Sequence, residues 1–244
     1  MSRSPLQDRP RLSKPLWLPF AAAVSVTVAI AMAFFYAPTE ATQGNVQRIF
    51  YIHVPSAWVA YLAFFVVAAA SVMVLARRDD WQRWDPIAVA CVEVGTLFMT
   101  IVLTTGPIWA GRAWGVFWSW DVRLTSTLVL WLIAVGYLIF RASTPPGERR
   151  ARLCAVIGII GAIDVPLIHF AVDWWASAHP PATVLNFSGR PTLPGSMLAT
   201  LFVSLGAFTL LFLALVTMRV RIERARNTLE FAEDAPAGAP SEHV

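Results

Sequence analysis

The sequence predicts an all-α integral membrane protein with six transmembrane helices and both termini cytoplasmic. Three observations carry this: six long apolar runs, a composition that is 57% hydrophobic and 14% charged, and basic residues gathered on alternate connections. An ordinary soluble domain carries about 25% charge, and the mean hydropathy of +0.60 points the same way. A hydrocarbon core of about 30 Å needs roughly 20 apolar residues in a helix. Runs of that order cover 16–36, 54–76, 87–109, 124–140, 153–175 and 197–218. Arg3, Arg9, Arg11 and Lys14 precede the first run as they would a secretory signal. Its length and the lack of an Ala-x-Ala site near Pro38 favour a retained helix instead.

Fifteen of the 19 Lys and Arg residues fall in the N-terminal stretch, the turns at 77–83 and 141–152, and the stretch 219–226. Cytoplasmic connections are enriched in such residues, so 37–53, 110–123 and 176–196 are expected to face outward. They hold the remaining four, Arg48, Arg112, Arg123 and Arg190. Residues 1–226 read as one six-helix membrane domain. Residues 227–244 are acidic and rich in Ala and Pro, and read as a disordered cytoplasmic tail. The sole lysine, Lys14, leaves no Walker-type loop or Schiff-base lysine in the body of the chain. Cys91 and Cys154 stand apart inside apolar runs, which excludes a CxxC pair.

The outward segments collect the candidate functional residues. His53 stands two residues before Pro55 at the expected start of the second helix, and His179 follows the fifth. Neutral imidazole is a common axial ligand of haem iron, and two of them make a six-coordinate site. An interfacial histidine with no further role fits the same positions. His169 lies deeper, four residues before Asp173, where a hydrogen-bonded intramembrane pair is expected. The stretch at about 109–125 is tryptophan-rich, with Trp109, Trp114, Trp118 and Trp120 followed by Asp121 and Arg123. Such indoles serve as interfacial anchors or as a stacking platform for a flat π-system. Arg123 and Arg48 have the planar fork that suits a carboxylate such as a haem propionate. A local salt bridge to Asp121, or a solvated charge at Arg48, is the alternative. Glu93 and Asp164 lie inside apolar runs, and Asp164 with Pro166 marks an expected irregularity in the fifth helix.

The runs WGVFWSWDVRLT, YIHVPSAW and HFAVDWWASAH, with six spans in 244 residues, resemble the haem exporter protein C (CcmC) family of bacterial cytochrome c maturation, whose tryptophan-rich signature is named WWD. The motif resemblance covers roughly 44–179, and the length and topology extend it to the whole chain. It implies haem b at the periplasmic face of the inner membrane, with His53 and His179 as axial ligands. Trp114, Trp118, Trp120 and Asp121 would form the platform, with Arg48 and Arg123 near the propionates. It also implies delivery to a periplasmic haem chaperone (CcmE), and partnership with ABC transporter subunits (CcmA, CcmB) and a small single-span subunit (CcmD). The surrounding lipid is a further partner, and no nucleic acid is expected. The chain would position haem and ligate its iron without a catalytic side chain of its own, so it is not expected to be an enzyme. Two rivals remain open: a transporter passing haem through its own bundle by way of Glu93, Asp164 and His169, and a structural or quinone-binding respiratory subunit.

Overall fold

A computed structural model describes residues 17–174 and 193–233. The apolar runs become six helices: α1 (Trp17–Ala31, continued by a π-helical turn Met32–Tyr36), α2 (Phe50–Ala76), α3 (Trp81–Ala113), α4 (Val122–Ser143), α5 (Glu148–Trp174) and α6 (Gly195–Glu233). All six segments are long and apolar enough to cross a membrane, and the described residues form no strand beyond an isolated bridge between Glu40 and Gly44. Large apolar side chains such as Phe20, Phe35 and Ile163 are exposed on the helix surfaces. That pattern suits a lipid solvent, in which every backbone polar group must be satisfied within its own helix. Hydroxyls inside the spans follow the same rule. Thr96, Thr100, Thr104 and Thr105 of α3 each donate to the carbonyl four residues back, at 2.6–2.8 Å.

Helix α2 lies at the centre, packed against α3, α5 and α6; α1 covers α6, and α4 lies on α5 and α3. Close approach depends on small residues, as expected where lipid tails are as apolar as the side chains they would replace. A Cβ on Gly158 of α5 would stand 2.8 Å from Val67 Cγ1 and 2.9 Å from Ser71 Oγ of α2. Val67 is β-branched and stiff at χ1, so it cannot swing clear. Gly136 of α4 has open space around it. Gly136→Ala is therefore expected to stabilise by about 0.5–1 kcal/mol through helix propensity. Gly158→Ala, with the same propensity gain, is expected to lower the thermal midpoint of the detergent-solubilised protein.

The structure differs from the sequence reading at several boundaries. Helix α2 begins five residues before Pro55, because a 3-10 turn at Asn45–Ile49 leads directly into it. That turn is held by buried Gln47 and by Arg48, whose Nη1 donates to the Ala33 carbonyl at the end of α1. Pro55 thus sits inside the helix rather than in its first turn. Helix α5 runs through Pro166 without ending there; proline has no N–H for the Ala162 carbonyl, so the irregularity is confined to that turn. Helix α3 continues to Ala113, which makes Trp109 helical and shortens the tryptophan loop to 114–121. Helix α6 continues through 227–233, into the stretch read as a tail; residues beyond 233 lie outside the described ones.

Candidate functional site: an indole-walled cleft

At one end of the bundle, the last turns of α3, the 114–121 loop and the first turns of α2 and α4 line a cleft of about 180 Å³. Its loop begins where α3 stops: Trp114 N–H bonds back to the Ala110 carbonyl at 2.8 Å, and Gly115 turns the chain at φ +77°. That left-handed conformation is open to glycine and strained for other residues. Asp121 ends the loop as the N-cap of α4. Its Oδ1 accepts the Leu124 N–H at 2.9 Å and its Oδ2 accepts the Ser119 hydroxyl at 2.8 Å, satisfying one orphan donor of the first turn.

His53 lines the cleft from α2. Its Nδ1 lies 2.9 Å from Thr105 Oγ1 on α3. A Cβ on Gly106 would meet His53 Cε1 at 3.1 Å, so the ring lies close against the bare α3 backbone at this glycine. Trp109 stands edge-on to it, with ring centroids 5.7 Å apart. Trp109 in turn meets Trp114 at 5.6 Å and donates its indole N–H to Gln43 Oε1 at 2.8 Å, tying the 37–49 segment to α3. Trp118 also lines the cleft, and its indole N–H is buried with no hydrogen-bond partner among the described residues. Arg123 also lines the cleft, as does Tyr61. The walls are thus mostly indole and aliphatic, with Arg123, Asp121 and the Trp118 N–H among the few polar groups. That arrangement fits a flat apolar molecule carrying acidic edge groups.

Of the residues singled out from the sequence, His53, Trp114, Trp118, Asp121 and Arg123 come together on this cleft. Trp120 packs on Trp118 at 5.6 Å but points outward, 77% exposed. Arg48 does not line the cleft; besides Ala33 it bonds Asn45 Oδ1 at 3.3 Å and stacks on Phe34. His179 lies outside the described residues. His169 packs edge-on against Tyr61 at 6.4 Å, while the side chain of its expected partner Asp173 is outside the description. Sequence reasoning missed Thr105, Gly106 and Tyr61. Only the pairing of α2 with α3 brings Thr105 and Gly106 to His53, and no local pattern announces it.

A second polar assembly closes the other end of the bundle. Buried Arg141 of α4 bonds both carboxylate oxygens of Asp85 on α3, at 2.9 and 2.7 Å, and Glu223 of α6 at 2.9 Å. Arg219 bonds Glu223 at 3.0 Å and forms a bidentate pair with Glu93. Arg141 and Arg219, counted in the sequence as turn and tail charges, are therefore committed to interhelical ion pairs.

The described residues hold no group of three His, Cys, Asp or Glu side chains that could bind a bare metal ion. A porphyrin brings four nitrogen ligands of its own, so an iron in such a cleft asks the protein only for axial ones. The family model described as "Heme exporter protein C" matches residues 10–233. The chain is 38% identical to "Heme exporter protein C" of Bradyrhizobium diazoefficiens, over 86% of this chain and 80% of the relative. It is 33% identical to the protein of that name from Escherichia coli, over 84% and 81%. It is 30% identical to a "Putative cytochrome c biosynthesis ccmC-like mitochondrial protein" of Arabidopsis thaliana, over 80% and 72%. With a match across nearly all of the described bundle and several relatives covered over most of their length, the chain belongs to the heme exporter protein C family.

Proposed function

We propose that this protein holds haem at the outer face of a bacterial inner membrane and hands it to a periplasmic haem chaperone during c-type cytochrome maturation. The observation that carries the proposal is the cleft itself, lined by His53, by indoles, by the Arg123 guanidinium and by a Trp118 N–H without a partner among the described residues. His53 would ligate the iron from one face and His179 from the other. Trp114 and Trp118 would pack on the porphyrin, while Trp120 extends the platform toward the acceptor. Asp121 holds the loop in place through its cap, and Arg123 meets a propionate. Arg48, away from the cleft, braces the 3-10 turn that aims His53.

The cargo is non-covalent haem b in this reading, because both cysteines are buried in the bundle and neither can form a thioether. Bound haem supplies the vinyl group that the chaperone's nucleophile meets; this chain contributes orientation and ligation. The arginine asymmetry of the sequence supports an outward-facing cleft. ABC transporter subunits (CcmA, CcmB) and a single-span subunit (CcmD) would supply the energy of release. Passage of haem through the bundle is the weaker reading, since Glu93 is paired to Arg219 at the far end.

Optical spectra of the purified protein beside His53→Ala and His179→Ala test the proposal. Each substitution is expected to abolish a six-coordinate bis-imidazole spectrum. Spectra indifferent to both substitutions would refute it.

A further inference from the structure

The Thr105 hydroxyl has one proton, and it is 2.6 Å from the Ile101 carbonyl, which has no proton to give. Thr105 Oγ1 must therefore donate to Ile101, and what it offers the His53 Nδ1 atom 2.9 Å away is a lone pair. Nδ1 then carries a hydrogen, which in the neutral ring leaves the lone pair to Nε2. The same stretch of α3 fixes the plane of the ring. Gly106 leaves just enough room for Cε1, where an added Cβ would stand 3.1 Å away, and Trp109, one turn on from Thr105, meets the ring edge-on at 5.7 Å.

We infer that Thr105 is a positioning residue that selects the His53 tautomer with Nε2 as the iron ligand, and that it does so before haem arrives. The inference rests on the reading of His53 as a haem ligand and adds to it how the ligand is prepared. The hydrogen bond to the second ring nitrogen decides which nitrogen can bind metal. A hydroxyl acceptor sets that choice without the added basicity that a carboxylate would confer. This suits a ligand that must release its iron to the next carrier. Carbonyl capture of the hydroxyl proton makes the arrangement one-directional: Thr105 cannot turn round and donate to Nδ1 without abandoning Ile101.

The test uses the full chain in nanodiscs. Nitrogen-15 NMR of histidine-labelled protein without haem, with the His53 signals assigned by their loss in His53→Ala, is expected to give the Nδ1–H tautomer in wild type and Thr105→Ser. In Thr105→Val, which keeps the shape and removes the acceptor, the two tautomers are expected to mix. Haem titration is expected to show affinity about 10–100-fold weaker for Thr105→Val, with Thr105→Ser close to wild type. An Nε2–H tautomer in wild type, or a Thr105→Val protein with unchanged tautomer and affinity, overturns the inference. If His53→Ala retains wild-type affinity and spectrum, the ligand reading itself fails. If His53→Ala loses them while Thr105→Val does not, only the role of Thr105 fails.

Discussion

Replacing Arg141 with methionine is expected to destabilise the bundle by about 3–5 kcal/mol, because it strands buried charge. Asp85 is 2% exposed and Glu223 2%, and the Arg141 guanidinium lies between them, bidentate to the first and single to the second. With it gone, Asp85 keeps no ion-pair partner among the described residues, and Glu223 keeps only Arg219, shared with Glu93, and the more distant Arg226 at 3.9 Å. The loss should appear as a lower thermal midpoint in detergent and as weakened packing of α4 and α6 on α3. A triple variant, Asp85→Leu with Arg141→Met and Glu223→Leu, separates the cost of stranded charge from the worth of the network. It leaves Arg219 matched to Glu93 alone. It is expected to recover most of the single variant's loss, since apolar replacement of a whole buried ion group is often neutral or better. A triple variant as unstable as Arg141→Met would mean that the three side chains matter chiefly through shape.

That network also marks where the sequence became hard to read. The six spans were legible because apolar length is a strong local signal, and each run recovers a helix. Helix ends were not, because hydropathy stops where charge begins while the helix does not. Arg141 lies in the last turn of α4 and is buried, yet in the sequence it is indistinguishable from the turn arginines that follow. The N-cap of α4 was readable in principle, as an aspartate directly ahead of an apolar periodic run, though Asp121 drew attention for its place beside the tryptophans. At the cleft, aromatic and histidine residues stood out by type and by motif. Their supports did not. Thr105 is one of four threonines on α3 with the same backward hydrogen bond, and only its contact with a ring 52 positions away separates it from the others. Gly106 and Gly111 are likewise ordinary helical glycines until the neighbour that fills the missing side chain is known.

Gly111 yields the second large expectation: Gly111→Val should weaken haem retention by about 10–100-fold while leaving the six-helix bundle folded. The ring of Phe117, in the middle of the tryptophan loop, lies across Gly111 in the last turns of α3. A Cβ there would stand 2.4 Å from two ring carbons and 2.7 Å from a third. Phe117 lies next to Trp118 in the loop and both line the cleft, so pushing the ring outward lifts the wall that carries the unpaired indole N–H. Overpacking of this kind costs about 1–3 kcal/mol, and each 1.4 kcal/mol is about tenfold in affinity. The bundle should persist because Phe117 is 61% exposed and belongs to no buried cluster. Haem titration and helical circular dichroism on the same preparations read the two effects separately. Phe117→Ala in the Gly111→Val background removes the ring that the valine strikes. If the clash is the cause, the double variant binds haem no worse than Phe117→Ala alone, a non-additivity expected only of residues in contact. Additive losses would instead mean that Gly111 and Phe117 act on the cleft independently, and that the loop is not positioned by resting on the bare backbone of α3.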